Sequence, residues 1–195
     1  MTTSTLELRH AVVNVAKPEG FPTVHGLNHY AFRCRDAEET RHFYEDLLKL
    51  PLAATVYHDR VPSTGDECPY FHIFFELADG SYLAFFDLLD GKAHAPDPAT
   101  PEWVNHIALD VGSKEALREA KSALEAAGVD VLGIVDHKWF DSIYFFDPNG
   151  IRLELVARTA SLDAMRAKAS SAHEILARRP QLLAQRQHAL EGQTK

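Results

Sequence analysis

Cysteine is scarce: Cys34 and Cys68 are the only two in 195 residues, too few for a disulfide framework. Long apolar runs are missing as well, so no stretch approaches a membrane span. Residues 1–20 lack the apolar centre of a signal peptide. There is no basic excess either. With 20 Lys and Arg against 28 Asp and Glu, the formal net charge is −8 and the pI about 5.7, a balance that disfavours a nucleic-acid or anionic-membrane surface. These absences lead us to expect a cytoplasmic protein with reduced thiols whose partners are small molecules or other protein chains. What is present is ordinary for a globular chain, 46% hydrophobic and 25% charged, enough for one good core or two small modules.

Residues 135–157 organise the rest. Asp147-Pro148-Asn149-Gly150 is a tight-turn signal between two runs of strand-favouring residues, so the stretch predicts a hairpin. In the returning strand Ile151, Leu153 and Leu155 face one way and Arg152, Glu154 and Val156 the other, which leaves a carboxylate mid-strand among apolar neighbours. Taken singly, such a glutamate is solvent-facing or paired with an arginine more often than it binds a metal.

Read in order, residues 1–22 predict an N-terminal arm. A strand over 27–33 is followed by a helix that Asp36 caps and that carries Thr40, Phe43, Tyr44, Leu47 and Leu48 on one stripe. Strands over 52–57, 70–77 and 81–88 follow, the last two joined at Asp79-Gly80. Pro96, Pro98 and Pro101 mark a connector, after which the order repeats. A strand over 104–110 leads to a helix that Ser113 caps and Gly128 closes, then come strands over 131–136, 142–147 and 151–156. The repeat is visible in residues, because Asn28-His29-Tyr30-Ala31-Phe32 opens the first unit and Asn105-His106-Ile107-Ala108-Leu109 the second. The predicted fold is α+β, with tandem βαβββ modules at about 26–90 and 103–158 within a domain of 23–158, forming a curved mixed sheet around a metal cleft.

A helical extension, 159–195, completes the chain. Leu162, Met165, Ala169, Ala172 and Leu176 form one stripe, and Pro180 separates it from a second, weaker helix. From Arg158 onward seven Lys or Arg stand against three Asp or Glu, so this tail is +4 and the remainder −12. The expectation is a strap across the sheet or a contact between subunits.

If the modules pair about a pseudo-twofold axis, equivalent strand positions converge, and His29, His106 and Glu154 meet. Two imidazoles and one carboxylate on rigid strands make the facial triad that holds Fe(II), or a similar ion such as Mn(II), with several coordination positions open. A lone histidine is more often a satisfied core residue than a ligand; the weight here comes from two histidines at matching repeat positions.

The tandem βαβββ order, the Asn-His-x-Ala openings and the Asp-Pro-Asn-Gly…Leu-Glu-Leu close resemble the vicinal oxygen chelate superfamily over about residues 26–158. That superfamily includes glyoxalase I, epimerases, fosfomycin-resistance transferases, drug-sequestering proteins and extradiol dioxygenases, so the resemblance alone does not fix a function. Four residues past the hairpin glycine lies Glu154 in the second module but Ala84 in the first. A glyoxalase-like isomerase would be expected to supply a fourth ligand or base there. Extradiol enzymes and fosfomycin-type transferases share the three-ligand pattern. His72, His137 and Tyr144 look like the acid–base set of the extradiol enzymes, and the resemblance implies a Fe(II)-dependent ring-cleaving dioxygenase acting on a catecholic aromatic with O2. His72 would exchange protons, His137 would stabilise charged oxygen and Tyr144 would hydrogen-bond a substrate oxygen. Many extradiol enzymes carry four such modules, whereas this chain resembles the single-pair type. The arm, residues 57–69 and the C-terminal helices are the candidate lids or contacts of a homo-oligomer. A metal-dependent transferase or lyase, or a drug-binding resistance protein, are the alternatives.

Overall fold

The computed structural model describes residues 20 and 22–193; the anticipated N-terminal arm lies almost wholly outside them. Strand β1 (His29–Cys34) leads into α1 (Ala37–Arg41), which continues as a π-helical turn (His42–Leu47). Three strands follow, β2 (Leu52–Arg60), β3 (Glu67–Glu76) and β4 (Tyr82–Asp87). The second module repeats this as β5 (Ile107–Asp110), α2 (Lys114–Ala126), β6 (Leu132–Asp136), β7 (Phe140–Phe146) and β8 (Arg152–Arg158). Both helices start where the sequence predicts: the Asp36 carboxylate accepts from Glu39 N at 2.8 Å and the Ser113 hydroxyl from Ala116 N at 3.1 Å.

Each module forms its own four-stranded mixed sheet, in the orders β1-β4-β3-β2 and β5-β8-β7-β6. The first and last strands of each module run parallel and the others antiparallel. The hairpin β2–β3 is longer than predicted, extending to the register pair Arg60↔Glu67, which is also an ion pair. Most of the anticipated lid at 57–69 is therefore strand. Pro69 is accommodated because the β2–β3 register shifts between His58 and Arg60 and β4 pairs only from Phe71 onward, so its missing N–H costs no ladder bond.

One face of each sheet builds a shared core. Tyr44, fully buried, packs on Phe75 and Phe85 of its own module, with ring centroids 5.2 and 4.8 Å away. Phe43 reaches Phe145 of the second module at 6.3 Å. Burying such rings contributes about 1.5–3 kcal/mol each. A polar bolt lies beside them. The Asp147 carboxylate accepts from Ile151 N and Asn149 N, both at 2.8 Å, from Asn149 Nδ2 at 3.1 Å and from Tyr44 OH at 3.0 Å. Asn149 in turn donates to Thr40 Oγ1 at 3.1 Å and accepts from Arg35 N at 3.0 Å. The Asp-Pro-Asn-Gly turn thus fastens the second module to α1 of the first. Burial raises the Asp147 carboxyl above the usual range despite these donors.

The C-terminal extension forms α3 (Leu162–Ala167), α4 (Ala169–Ala177) and α5 (Arg179–Gln193). Pro180 sits in the first turn of α5, where its missing N–H is harmless. Ala169, Ala172 and Leu176 of the expected stripe are exposed, so these helices do not lay that face across a sheet of the same chain. Among the described residues no helix is long and apolar enough to cross a membrane.

Candidate metal centre

The faces opposite the shared core carry the predicted site residues, arranged in rows by strand register. In the second module Phe146 stands opposite Arg152, Tyr144 opposite Glu154 and Ser142 opposite Val156, while Glu154 pairs with Ala108 of β5. The equivalent rows of the first module are Glu76 and Tyr82, Phe74 and Ala84, His72 and Phe86, with Ala84 paired to Ala31 of β1. His29 and His106 each stand two residues ahead of the alanine in their row. Register therefore makes Ala84 the counterpart of Glu154, in agreement with the count from the hairpin glycines.

Glu154 is 3% exposed, and both its oxygens are engaged. Oε1 accepts from Tyr144 OH at 2.9 Å, and Oε2 lies 3.0 Å from His106 Nε2. Because Tyr144 spends its proton on Glu154, His137 Nε2, 2.8 Å from the phenol oxygen, must be the donor of that bond. The result is a directed chain, His137 to Tyr144 to Glu154. Burial first, then the bond to Glu154 and its charge, raise the Tyr144 pKa, so the phenol keeps its proton at neutral pH.

Both candidate ligand imidazoles are oriented alike. His29 Nδ1 lies 2.7 Å from Asn28 Oδ1 and His106 Nδ1 3.3 Å from the Val104 carbonyl. Each partner can only accept, so each Nδ1 carries a proton; in the neutral ring this leaves the lone pair on Nε2, the tautomer a metal requires. In that tautomer His106 Nε2 and Glu154 Oε2 are two acceptors 3.0 Å apart. Either a proton on Nε2, giving an ion pair, or a metal cation joins them, and the donor set fits a divalent metal.

His29, however, belongs to a different cluster. Its ring lies 6.2 Å from that of His72 and 5.8 Å from Phe74. His72 stacks on Phe86 at 3.7 Å, its Nε2 is buried without a partner, and burial lowers its pKa to about 4, the neighbouring His29 and His58 adding to the effect. Among the described residues no three His, Cys, Asp or Glu side chains gather as a metal site. The two first strands are not hydrogen-bonded to each other: β1 and β5 are edges of separate sheets, and the expected single curved sheet is two. The modules meet around Phe43, Tyr44 and Asp147, and the histidine-bearing faces carry two separate groups. One holds His29 and His72, the other His106, Glu154, Tyr144 and His137. Sequence reasoning passed over Arg152, although its spacing from Glu154 puts it on the same face. Its guanidinium carbon lies 4.6 Å from the centre of the Tyr144 ring.

Comparison with known proteins bears on this arrangement. The family model described as Glyoxalase/Bleomycin resistance protein/Dioxygenase superfamily matches residues 26–155. A curated relative, named "Putative ring-cleaving dioxygenase MhqA", from Bacillus subtilis (strain 168), is 31% identical over 137 residues, 69% of this chain and 40% of that protein. The chain therefore spans about two fifths of that relative's length. Among solved structures, a glyoxalase/dioxygenase from Nostoc punctiforme superposes with a TM-score of 0.54 at 22% identity, over 76% of this chain and 99% of that one. The fosfomycin resistance protein FosX of Listeria monocytogenes, solved with Mn(II) and sulfate, gives 0.52 at 21% identity over 72% and 97%. At these identities the structures speak for the fold alone.

Proposed function

Because the chain belongs to the glyoxalase/bleomycin resistance protein/dioxygenase superfamily, we propose that it is a divalent-metal-dependent extradiol dioxygenase, opening a catecholic ring with O2. We propose further that it works as a homodimer in which each cleft pairs the first module of one copy with the second module of the other. His29 of the partner subunit would then join His106 and Glu154 as the third metal ligand. What supports this reading is the complementarity of the two groups: one offers a carboxylate and an imidazole facing each other, the other an imidazole with no further donor beside it. The exposed Ile175, Leu176, Leu182 and Leu183 of α4 and α5 suit a second contact between copies.

Bound by this triad, Fe(II) would supply electron transfer between the diol and O2, and Mn(II) fits the same donors. Ala84 in place of a fourth carboxylate keeps room for both diol oxygens and for O2. The chain's own residues handle the protons. His72, neutral at working pH because burial lowers its pKa, would be the group that takes a proton from the diol and later returns it. With Glu154 taken up by the metal, Tyr144 would be released to turn its O–H toward a substrate oxygen, His137 still donating to the phenol oxygen. Phe74, Phe86 and Tyr82 offer an aromatic wall for a flat ring.

The test is anaerobic reconstitution with Fe(II), followed by a panel of small catechols and O2. Oxygen uptake with a coloured ring-opened product, abolished in His29→Ala and slowed in His72→Ala, is the expected outcome. Tight metal binding without oxygen uptake would replace this reading with an oxygen-independent transferase or lyase.

A further inference from the structure

Arginines in the two modules are consistently paired. Arg33, Arg35, Arg41, Arg60, Arg118 and Arg158 each meet a carboxylate. Arg152 is the exception among the described residues of these modules. It makes no ion pair, its half-buried side chain stacks against Tyr144, and its Nε is shut off from water with no hydrogen-bond partner. An arginine donor buried and unused is costly unless something else fills it. The position is also informative. Arg152 precedes Glu154 by two residues on the same strand face, next to the row of His106. It lines a cavity of about 750 Å³ together with His106, Phe146, Tyr30 and Phe32.

Resting on the proposed ring-cleaving function, we infer that Arg152 is an anion-binding subsite that selects a catecholic substrate bearing a ring carboxylate. The guanidinium fork matches a planar carboxylate, and the aromatic lining suits the ring that carries it. The same cavity contains Asp97 and Glu102 from the connector. Neither pairs with Arg152, and their charge disfavours a phosphate dianion, so a single negative charge is the better match. Arg152 stacks on the ring of Tyr144, whose phenol bonds Glu154, so the subsite lies beside the proposed metal ligands and fixes the carboxylate relative to a diol held there.

The experiment uses full-length, metal-loaded protein without O2, so that binding is read apart from turnover. Titration with 3,4-dihydroxybenzoate and with 4-methylcatechol should give a Kd for the carboxylate about tenfold lower, the worth of one charge-assisted hydrogen bond. Arg152→Gln should bring the two Kd values together, whereas Arg152→Lys, which keeps the charge but not the fork, should keep part of the gap. Equal Kd values in the wild-type protein, or a gap that survives Arg152→Gln, overturn the Arg152 subsite and leave the ring-cleavage reading standing. Binding of neither diol overturns both.

Discussion

The two modules share one scaffold and one opening motif, yet their cleft faces have opposite chemistry. Where the second presents Tyr144, Arg152 and Glu154, the first presents Phe74, Tyr82 and Ala84 at the same register positions. Where the second has Ser142, the first has His72 packed against Phe86. The polar half can hold charge but lacks a third ligand; the aromatic half can hold a ring and offers His29 as a ligand, but has Ala84 where the second has Glu154. On the proposed reading, a repeated fold divides one site into unlike halves, and neither half completes it. The hairpin turns differ in the same manner. Asp147 and Asn149 are buried and bolt the modules together, whereas Asp79 caps only its own Ser81, through N at 2.9 Å and Oγ at 2.6 Å.

The largest expected effect comes from removing the charge that only the second module has. Glu154→Gln keeps the shape and the bond from Tyr144 but leaves His106 facing a neutral amide. We expect divalent-metal affinity and oxygen uptake to fall by about 100-fold or more, since one of three ligands is lost. Metal titration of the purified variant reads this directly, and retention of wild-type affinity would remove Glu154 from the ligand set.

Mixing two dead variants tests the division itself. His29→Ala destroys the first half-site and His106→Ala the second, so each should be inactive alone. If clefts form between copies, a mixed dimer carries one cleft with both defects and one with none. Random reassociation of equal amounts should then restore about a quarter of wild-type uptake per chain. No recovery, with mixed dimers present by native mass spectrometry, would place all three ligands within one copy instead.

The turns come next. Asp147→Ala strands the Tyr44 hydroxyl and two backbone N–H groups in the core and should cost about 2–3 kcal/mol. Asp79→Ala, which removes two bonds confined to one turn that fastens nothing across the modules, should cost less, about 1 kcal/mol. Denaturant unfolding of both variants measures the contrast, and comparable losses would contradict the bolt.

Much of this contrast could be read from sequence. Alternation placed Glu154 among apolar neighbours, the paired Asn-His openings revealed the repeat, and the glycine count matched Ala84 to Glu154 before register did. Such features are local, set by strand period and turn chemistry over a few residues. What escaped was the meeting of the modules. A pseudo-twofold can be satisfied within one chain or between two, and the choice depends on Phe43, Tyr44 and Asp147 packing across the core faces, contacts more than 100 residues apart in sequence. The extended β2–β3 hairpin was hidden by Pro69, which normally ends a strand. Arg152 was visible on the right face, but only the absence of an acidic partner, which no sequence shows, singled it out.

The smallest effect is a pH dependence that the first module should have and the second lack. His72 takes the place of Ser142 and is held at a pKa of about 4, below the ordinary 6.5, chiefly by burial. Below pH 6.5 the unfolded chain binds a proton there, while the folded chain does not until about pH 4. His72 therefore contributes stability above pH 6.5 that is lost as pH falls through the folded pKa. Against metal-free His72→Gln, the wild-type protein should lose about 1–2 kcal/mol more between pH 7 and pH 4, the shift being discounted for the part of the ring that water reaches. Ser142→Ala should show no such window. A wild-type-to-variant difference that stays constant with pH would mean that His72 is solvated as freely as any surface histidine, and the aromatic half of the cleft would lose its base along with its distinction from the polar half.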